Sequence, residues 1–529
     1  MQAARGRTSR RALTAMSLAC AALLCGAAPS LPAAEAEAQA ETLDQQLKDV
    51  LAANGFTGNI QGSVEQRLGR PINQQLQNLG RQLFFDPIHA LHDDNSCAGC
   101  HDPAAGFGDS QAIAIGVQNK RMIVGATRDG PRNQRRSPTI INTIFYPALM
   151  WDGRFFARSH DPFDNSQGFD FPPPEGKKKF PPGDPDVTFL AIAQAHMPST
   201  QLMELAGFTG TRGTLGHRWN QFDDGLGDPV PPPNASGYRN DRIRAAVEDR
   251  VNAVGNYRDR FGAIFADVAA GGPITFTMVA QAIGEWEATL VRANAPLDRF
   301  ARGTLDAMTE RQKKGALLFF GKAGCVDCHA TKGNANQMFS DFKGHNIGVP
   351  QIAPLFGVDK GNFLFDGPGH NEDHGLEQVT QDKNDRYKFR TAPLRNLAMQ
   401  PRFFHNGSFT SLSAAIRHHL DVKQSARNYD PALNGVPEDL RQNMGPIQPV
   451  LSRLDPLVVH PILLTDAEFD QLLAFVRDAL LDPKDTLADN CRRIPARLPS
   501  GMTPMQFVDC PPGADDHGQF QAADMRVDE

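Results

Sequence analysis

The pentapeptide "CAGCH" at residues 97–101 returns, more than two hundred residues later, as "CVDCH" at 325–329. Two thiols spaced by two residues can add across the vinyl groups of a haem, and the histidine that follows can reach its iron. On this reading Cys97, Cys100 and His101 hold one c-type haem, and Cys325, Cys328 and His329 hold another. A zinc site would need four closed ligands, and a thioredoxin-like dithiol would need a βαβ setting that the sequence lacks.

The repetition extends beyond the cysteines. "GRQLFFDP" precedes the first motif and "GALLFFGK" the second, and each motif is followed by a Phe-x-Asp, in "GFGD" and "MFSD". A degenerate internal duplication of one domain type follows. Strand-like alternation is scarce, so the fold class is mainly α: two cytochrome c-like haem domains with long loops. Pro-rich insertions occupy 169–185 and 222–237, where surface decoration or a rim is expected. The run 276–300, "FTMVAQAIGEWEATLVRANAPLDRF", has helical spacing and should lead into the second half.

At 529 residues the chain exceeds one hydrophobic core. Arg5, Arg7, Arg10 and Arg11 precede an apolar run ending near Ala28 and then small residues, the pattern of a signal peptide over 1–36. The apolar run is shorter than the roughly 20 residues of a membrane span. Expected boundaries are 37–245 for the first haem domain, 246–482 for the second, and 483–529 for a tail. Removal of 1–36 takes away four arginines and one glutamate, leaving 50 basic against 59 acidic residues. That acidic balance argues against nucleic acid as a partner, and a mature form without a membrane span is expected in the periplasm. In such an oxidising compartment Cys491 and Cys510 should pair, leaving the polar tail tied only by that bridge.

The runs "GPRNQRRSPTIINTIFYPALMWDGR" (130–154) and "FRTAPLRNLAMQPRFFHNGSFTSLSAAI" (389–416), with the two haem motifs, resemble the bacterial dihaem cytochrome c peroxidases and the related dihaem cofactor-maturing enzymes. The resemblance spans roughly residues 75 to 480. It implies a peroxidatic N-terminal haem under a Gln-Ala-x-x-Pro and Glu pattern, here Gln194, Ala195, Pro198 and Glu204. Glu204 would be the acid/base and Gln194 its partner. Trp151 in "WDGR" would relay electrons. Where many of these peroxidases carry an iron-closing histidine, this chain has Val117, which implies a first haem open without prior reduction; His160, His196 and His217 are the alternatives for closing it. Counting seven from Leu412 places His419 at the second iron, with His418 adjacent and Met338 or Met399 as the ligands if the register is otherwise.

A calcium ion between the domains is also implied by the resemblance, yet its asparagine is replaced by Arg136; Thr391 and Pro393 remain as contributors. The implied activity is reduction of hydrogen peroxide with electrons from a cytochrome c or cupredoxin. A peroxide-dependent oxidase of a protein or organic substrate and a non-catalytic dihaem carrier are the alternatives, and a homodimer stays open.

Overall fold

The computed structural model describes residues 42–118, 123–125, 128, 130–171, 180–210, 227–235, 239–354 and 364–510. The expected signal peptide, His217 and parts of both Pro-rich insertions lie outside the described residues. From Thr42 onward the chain forms one compact unit. It is mainly helical, with only short strands. None of the described helices is long and apolar enough to cross a membrane.

Each half is built on a helix that ends in Leu-Phe-Phe or its equivalent. Gln74–Phe85 starts at Asn73, whose side chain accepts from the Gln75 and Leu76 amides. It stops at Asp86 because Pro87 disfavours helical geometry in the residue before it. Glu310–Phe320 opens on a Thr309/Gln312 capping box. Both helices carry a glycine where a partner helix presses in. A Cβ on Gly80 would lie 1.7 Å from the Ala282 carbonyl oxygen, and one on Gly315 would lie 2.0 Å from that of Gln471. Phe84 then packs on Trp286 with centroids 4.5 Å apart, and Phe319 on Phe475 at 5.2 Å.

The interior does not divide at residue 245. One hydrophobic cluster runs from Ile60 to Ala293, and the helix Phe276–Glu287 belongs to it, packed on Gln74–Phe85. The second cluster begins with Leu47 and Leu51 of the helix Leu43–Ala53 and resumes at Leu297. The run 276–300 is therefore not one helix leading into the second half. It breaks after Glu287, the Leu290 carbonyl accepts from the Asn142 amide, and a short helix restarts at Pro296. Proline is tolerated only in the first turn of a helix, which fixes that restart.

The segment after Asp482 is held by much more than its disulfide. Cys491 and Cys510 are bonded. In addition Ile494, Leu498, Met505 and Phe507 enter the first cluster, and Gln506–Phe507 pairs in parallel with Ile123–Val124. Their apolar residues are too irregularly spaced to show a period, so the sequence reads as polar tail. The first Pro-rich insertion is likewise rooted inside: Phe169, Phe171 and Phe180 are buried, with Phe155 against Phe171 at 4.3 Å.

A three-stranded antiparallel sheet, Ala148–Leu149, Phe155–Ala157 and Phe169–Asp170, pairs Leu149 with Phe155 and Phe156 with Asp170. The turn between its first two strands carries Trp151. A second pair, Gly344–His345 with Phe389–Arg390, lies in the other half.

Candidate haem cavities

Two cavities open onto the two cysteine motifs. The first, of about 460 Å³, is lined by Cys97, Cys100, His101, Gln194, Glu204 and Glu287 among others. The second, of about 230 Å³, is lined by Cys325, Cys328, His329 and His419. Trp151 lines both.

The two histidines that close the motifs sit in matching frames. His101 lies 6.4 Å from Phe84 at a tilt of 44°, and His329 lies 6.5 Å from Phe319 at 47°. His101 Nδ1 donates to the carbonyls of Pro138 (3.0 Å) and Phe107 (3.3 Å); His329 Nδ1 donates to Phe339 (2.9 Å). Phe107 and Phe339 both hold left-handed backbone, φ 53° and 59°, an uncommon conformation for a bulky residue that is repeated in the two copies. A carbonyl can only accept, so Nδ1 keeps the proton and Nε2 keeps its lone pair for a metal. Burial pushes both rings down to about 4, so they are neutral, as ligation requires.

The thiols are unpaired. Burial pushes those of Cys100 and Cys325 up to about 12 and that of Cys97 further.

The second cavity is closed on both sides by imidazole. His329 and His419 have ring centroids 6.2 Å apart. An imidazole nitrogen lies about 1.1 Å from its ring centre and a metal–imidazole bond is about 2 Å, so two rings sharing one iron have centres about 6 Å apart. His419 comes from the helix Leu412–Leu420, and its Nδ1 donates to Ala415 O at 2.8 Å, again sparing Nε2. His418, the next residue, has both nitrogens engaged, with Ser425 Oγ at 2.9 Å and Ile347 O at 2.8 Å. His345 has both nitrogens on carboxylates, Asp455 and Asp341. Neither Met338 nor Met399 lines the cavity.

The first cavity differs. Among the described residues His101 is the only histidine on its wall. His196 is buried elsewhere, with Nδ1 donating to Ile192 O at 2.9 Å and Nε2 3.3 Å from Thr277, and His160 is exposed. Val117 is buried against Met203 and Phe208, its amide donating to Met203 O. On the same cavity, Gln194 ends the helix Leu190–Gln194, Pro198 starts a short turn, and Glu204 sits in a π-type turn, Leu202–Ala206. The Asn95 side chain donates to Glu204 O at 2.9 Å, so a residue two positions before the motif holds that turn in place.

One further residue of these walls was not among those expected. Glu287 is buried at the first cavity, has no hydrogen-bond or ion-pair partner among the described residues, and burial pushes its carboxyl up to about 8. The sign was a second glutamate in an otherwise apolar helical face, since Glu285 is accounted for by Arg70. Trp151, 9 % exposed, donates through Nε1 to Arg136 O at 2.7 Å. Arg136 itself bonds Asp109 O and Gln400 Oε1, while Thr391 donates to Asp341. Among the described residues no cluster of three or more acidic, histidine or cysteine side chains is placed to hold a bare metal ion.

Residues 74–306 match the family model described as Di-haem cytochrome c peroxidase. The chain is similar both to cytochrome c peroxidases and to methylamine utilization proteins. The cytochrome c551 peroxidase of Pseudomonas aeruginosa is 26% identical over 379 residues, covering 72% of this chain and 80% of that protein. The methylamine utilization protein MauG of Methylorubrum extorquens is 27% identical over 403 residues, covering 76% and 84%. Among solved structures, a MauG-like protein associated with microbial copper homeostasis aligns with a TM-score of 0.49 at 21% identity, over 78% of this chain and 91% of that one.

Proposed function

We propose that this protein is a periplasmic dihaem oxidoreductase that reduces hydrogen peroxide to water at the first cavity, with electrons entering through the second. The observation that carries the reading is the asymmetry of the cavities: one histidine shares the first cavity with Gln194 and Glu204, and two histidines share the second. Cys97 and Cys100, and Cys325 and Cys328, would attach the two groups; His101, and the pair His329 and His419, would hold the irons. When bound, such haems supply peroxide binding where the iron is open on one side and electron passage where it is closed on both.

The protein's own work is proton handling. Peroxide must lose a proton from its near oxygen and gain one on its far oxygen before the bond between them breaks, and the Glu204 carboxylate can do both. Gln194 orients it. The overall balance is one peroxide, two electrons and two protons to two waters, and neutral Glu287 on the same wall can contribute a proton. Trp151 relays the electrons between the cavities, and a small cytochrome c or cupredoxin supplies them.

Val117 favours a second reading, a peroxide-dependent oxidase of a protein or organic substrate, because that position offers no ligand that reduction would have to displace. The test is steady-state peroxide turnover with reduced cytochrome c by protein prepared all-ferric, with electron paramagnetic resonance on the same sample. Immediate turnover and one high-spin haem are expected. Turnover that needs prior reduction refutes the open first site; absence of turnover under both conditions refutes the peroxidase reading in favour of the oxidase.

A further inference from the structure

The two cavities share a wall that contains two unbalanced cations. Arg136 and Arg390 each line both cavities, and they are only 4 and 5 % exposed. Their hydrogen-bond partners are neutral oxygens. Arg136 donates to Asp109 O and Gln400 Oε1, and Arg390 to Met150 O and Thr391 O. Nη1 of Arg136 and Nη2 of Arg390 have no partner among the described residues. Two other buried arginines show what a carboxylate partner supplies. Arg395 grips Asp298 with both terminal nitrogens (2.7 and 2.9 Å), and Arg135 lies between Asp373 and Asp152.

Electrostatics agree with the geometry. Burial pushes Arg136 and Arg390 down to about 10, whereas Arg135, equally enclosed but paired, is pushed up. Asp109 draws on Arg136 from beyond ion-pair distance, and burial drives that carboxyl toward its neutral form. Arg402, on the second cavity, adds another positive charge. A guanidinium taken out of water without an anion is costly, and its fork matches a carboxylate.

We propose that Arg136 and Arg390 form a shared carboxylate-binding pair for the propionate side groups of both haems, so that each arginine sets the charge balance of both centres. The pair is also tied to Trp151. The indole donates to Arg136 O, and the Arg390 amide donates to Trp151 O at 2.7 Å. The same two residues thereby fix the aromatic ring and neutralise the carboxylates on either side of it. The inference rests on the cofactor content of the cavities and is independent of peroxide chemistry.

The experiment uses holo-protein carrying Arg136→Met, Arg390→Met or the corresponding lysine substitutions. Haem per chain is measured first, by pyridine haemochrome, so that absence of haem in the wild type, which would remove the cofactor reading itself, is seen separately. Redox titration followed in the Soret band and resonance Raman of the propionate bending bands then decide. Each methionine variant should lower the potentials of both haems, because removing a cation favours ferric iron, and should shift the propionate bands of both. Each lysine variant should stay closer to the wild type. Full haem content with unchanged potentials and bands overturns the proposal, and a change confined to one haem overturns the sharing. If the methionine variants fail to load haem, the lysine variants carry the test: normal loading with shifted propionate bands supports the pair, and wild-type bands overturn it. Wild-type potentials that follow the phosphate concentration of the buffer would show that a free anion occupies the site instead.

Discussion

Arg135→Met should be among the most damaging single changes outside the haem ligands. Arg135 comes from the first half and binds Asp373 of the second through Nε (2.7 Å) and Nη2 (2.8 Å), with Nη2 also on Gln378 at 2.7 Å. Its Nη1 reaches Asp152, the residue after Trp151. The side chains of Arg135, Asp152 and Asp373 are 8, 4 and 3 % exposed. Deleting one partner of a buried pair strands the other and costs about 3–5 kcal/mol. Here Arg154 stays 2.9 Å from Asp152, and the Gly375 amide still donates to Asp373 at 2.9 Å. The loss should therefore be about 3–4 kcal/mol. Burial alone would raise the Asp152 carboxyl, but Arg154 and Arg135 overcome it and hold the group well below the usual carboxylate range. A depressed carboxylate stabilises the fold above its unfolded value of about 3.9 and loses that contribution as pH falls through the folded value. The gap between wild type and variant should thus be full at pH 7 and narrow below about pH 4. Adding Asp373→Asn to the variant should recover about 1–2 kcal/mol by removing the stranded charge. Urea unfolding followed by circular dichroism and the Soret band measures all three. A variant within about 0.5 kcal/mol of wild type, or a gap that ignores pH, would refute the reasoning.

His419→Ala should open the second haem to carbon monoxide and change its low-spin spectrum, whereas His418→Ala should cost stability through Ser425 and Ile347 and leave the haem spectrum alone; optical titration of the two variants separates them. Glu204→Gln should keep both haems and lower peroxide turnover by about 10²-fold or more, as expected for loss of a general acid/base, in a steady-state assay. Gly80→Ala should destabilise the first half by about 1–3 kcal/mol despite the better helix propensity of alanine, worth about 1 kcal/mol, because the new Cβ meets a backbone carbonyl that cannot rotate away; thermal unfolding checks the sign.

What the sequence made legible was whatever is local or repeated. The cysteine motifs, the paired Leu-Phe-Phe helices and the Phe-x-Asp turns are each encoded within about thirty residues, and each reappears in the geometry around His101 and His329. The position of His419 could be counted because a capped nine-residue helix keeps its register from Leu412. Gln194 and Glu204 came from the pattern that the resemblance implies, and they line one cavity although a short turn at Pro198–Thr200 lies between them and Glu204 sits in a π-type turn.

What escaped was long-range. The helix Phe276–Glu287 serves the first core because Gly80 lets the two backbones touch, a contact between residues some two hundred apart that no periodicity announces. The stretch from Cys491 to Cys510 returns to the first half through scattered apolar residues and one two-residue strand pair. Arg136 shows the same limit at the level of chemistry. In sequence it is only a cation where the resemblance implies a calcium ligand. Its meaning depends on Arg390, more than two hundred and fifty residues away, and on the fact that both enter one wall between two cavities. Two buried cations on one wall, each with neutral hydrogen-bond partners, favour an anion in the cavities they line, as proposed above, and neither residue's neighbours in the chain could have specified that.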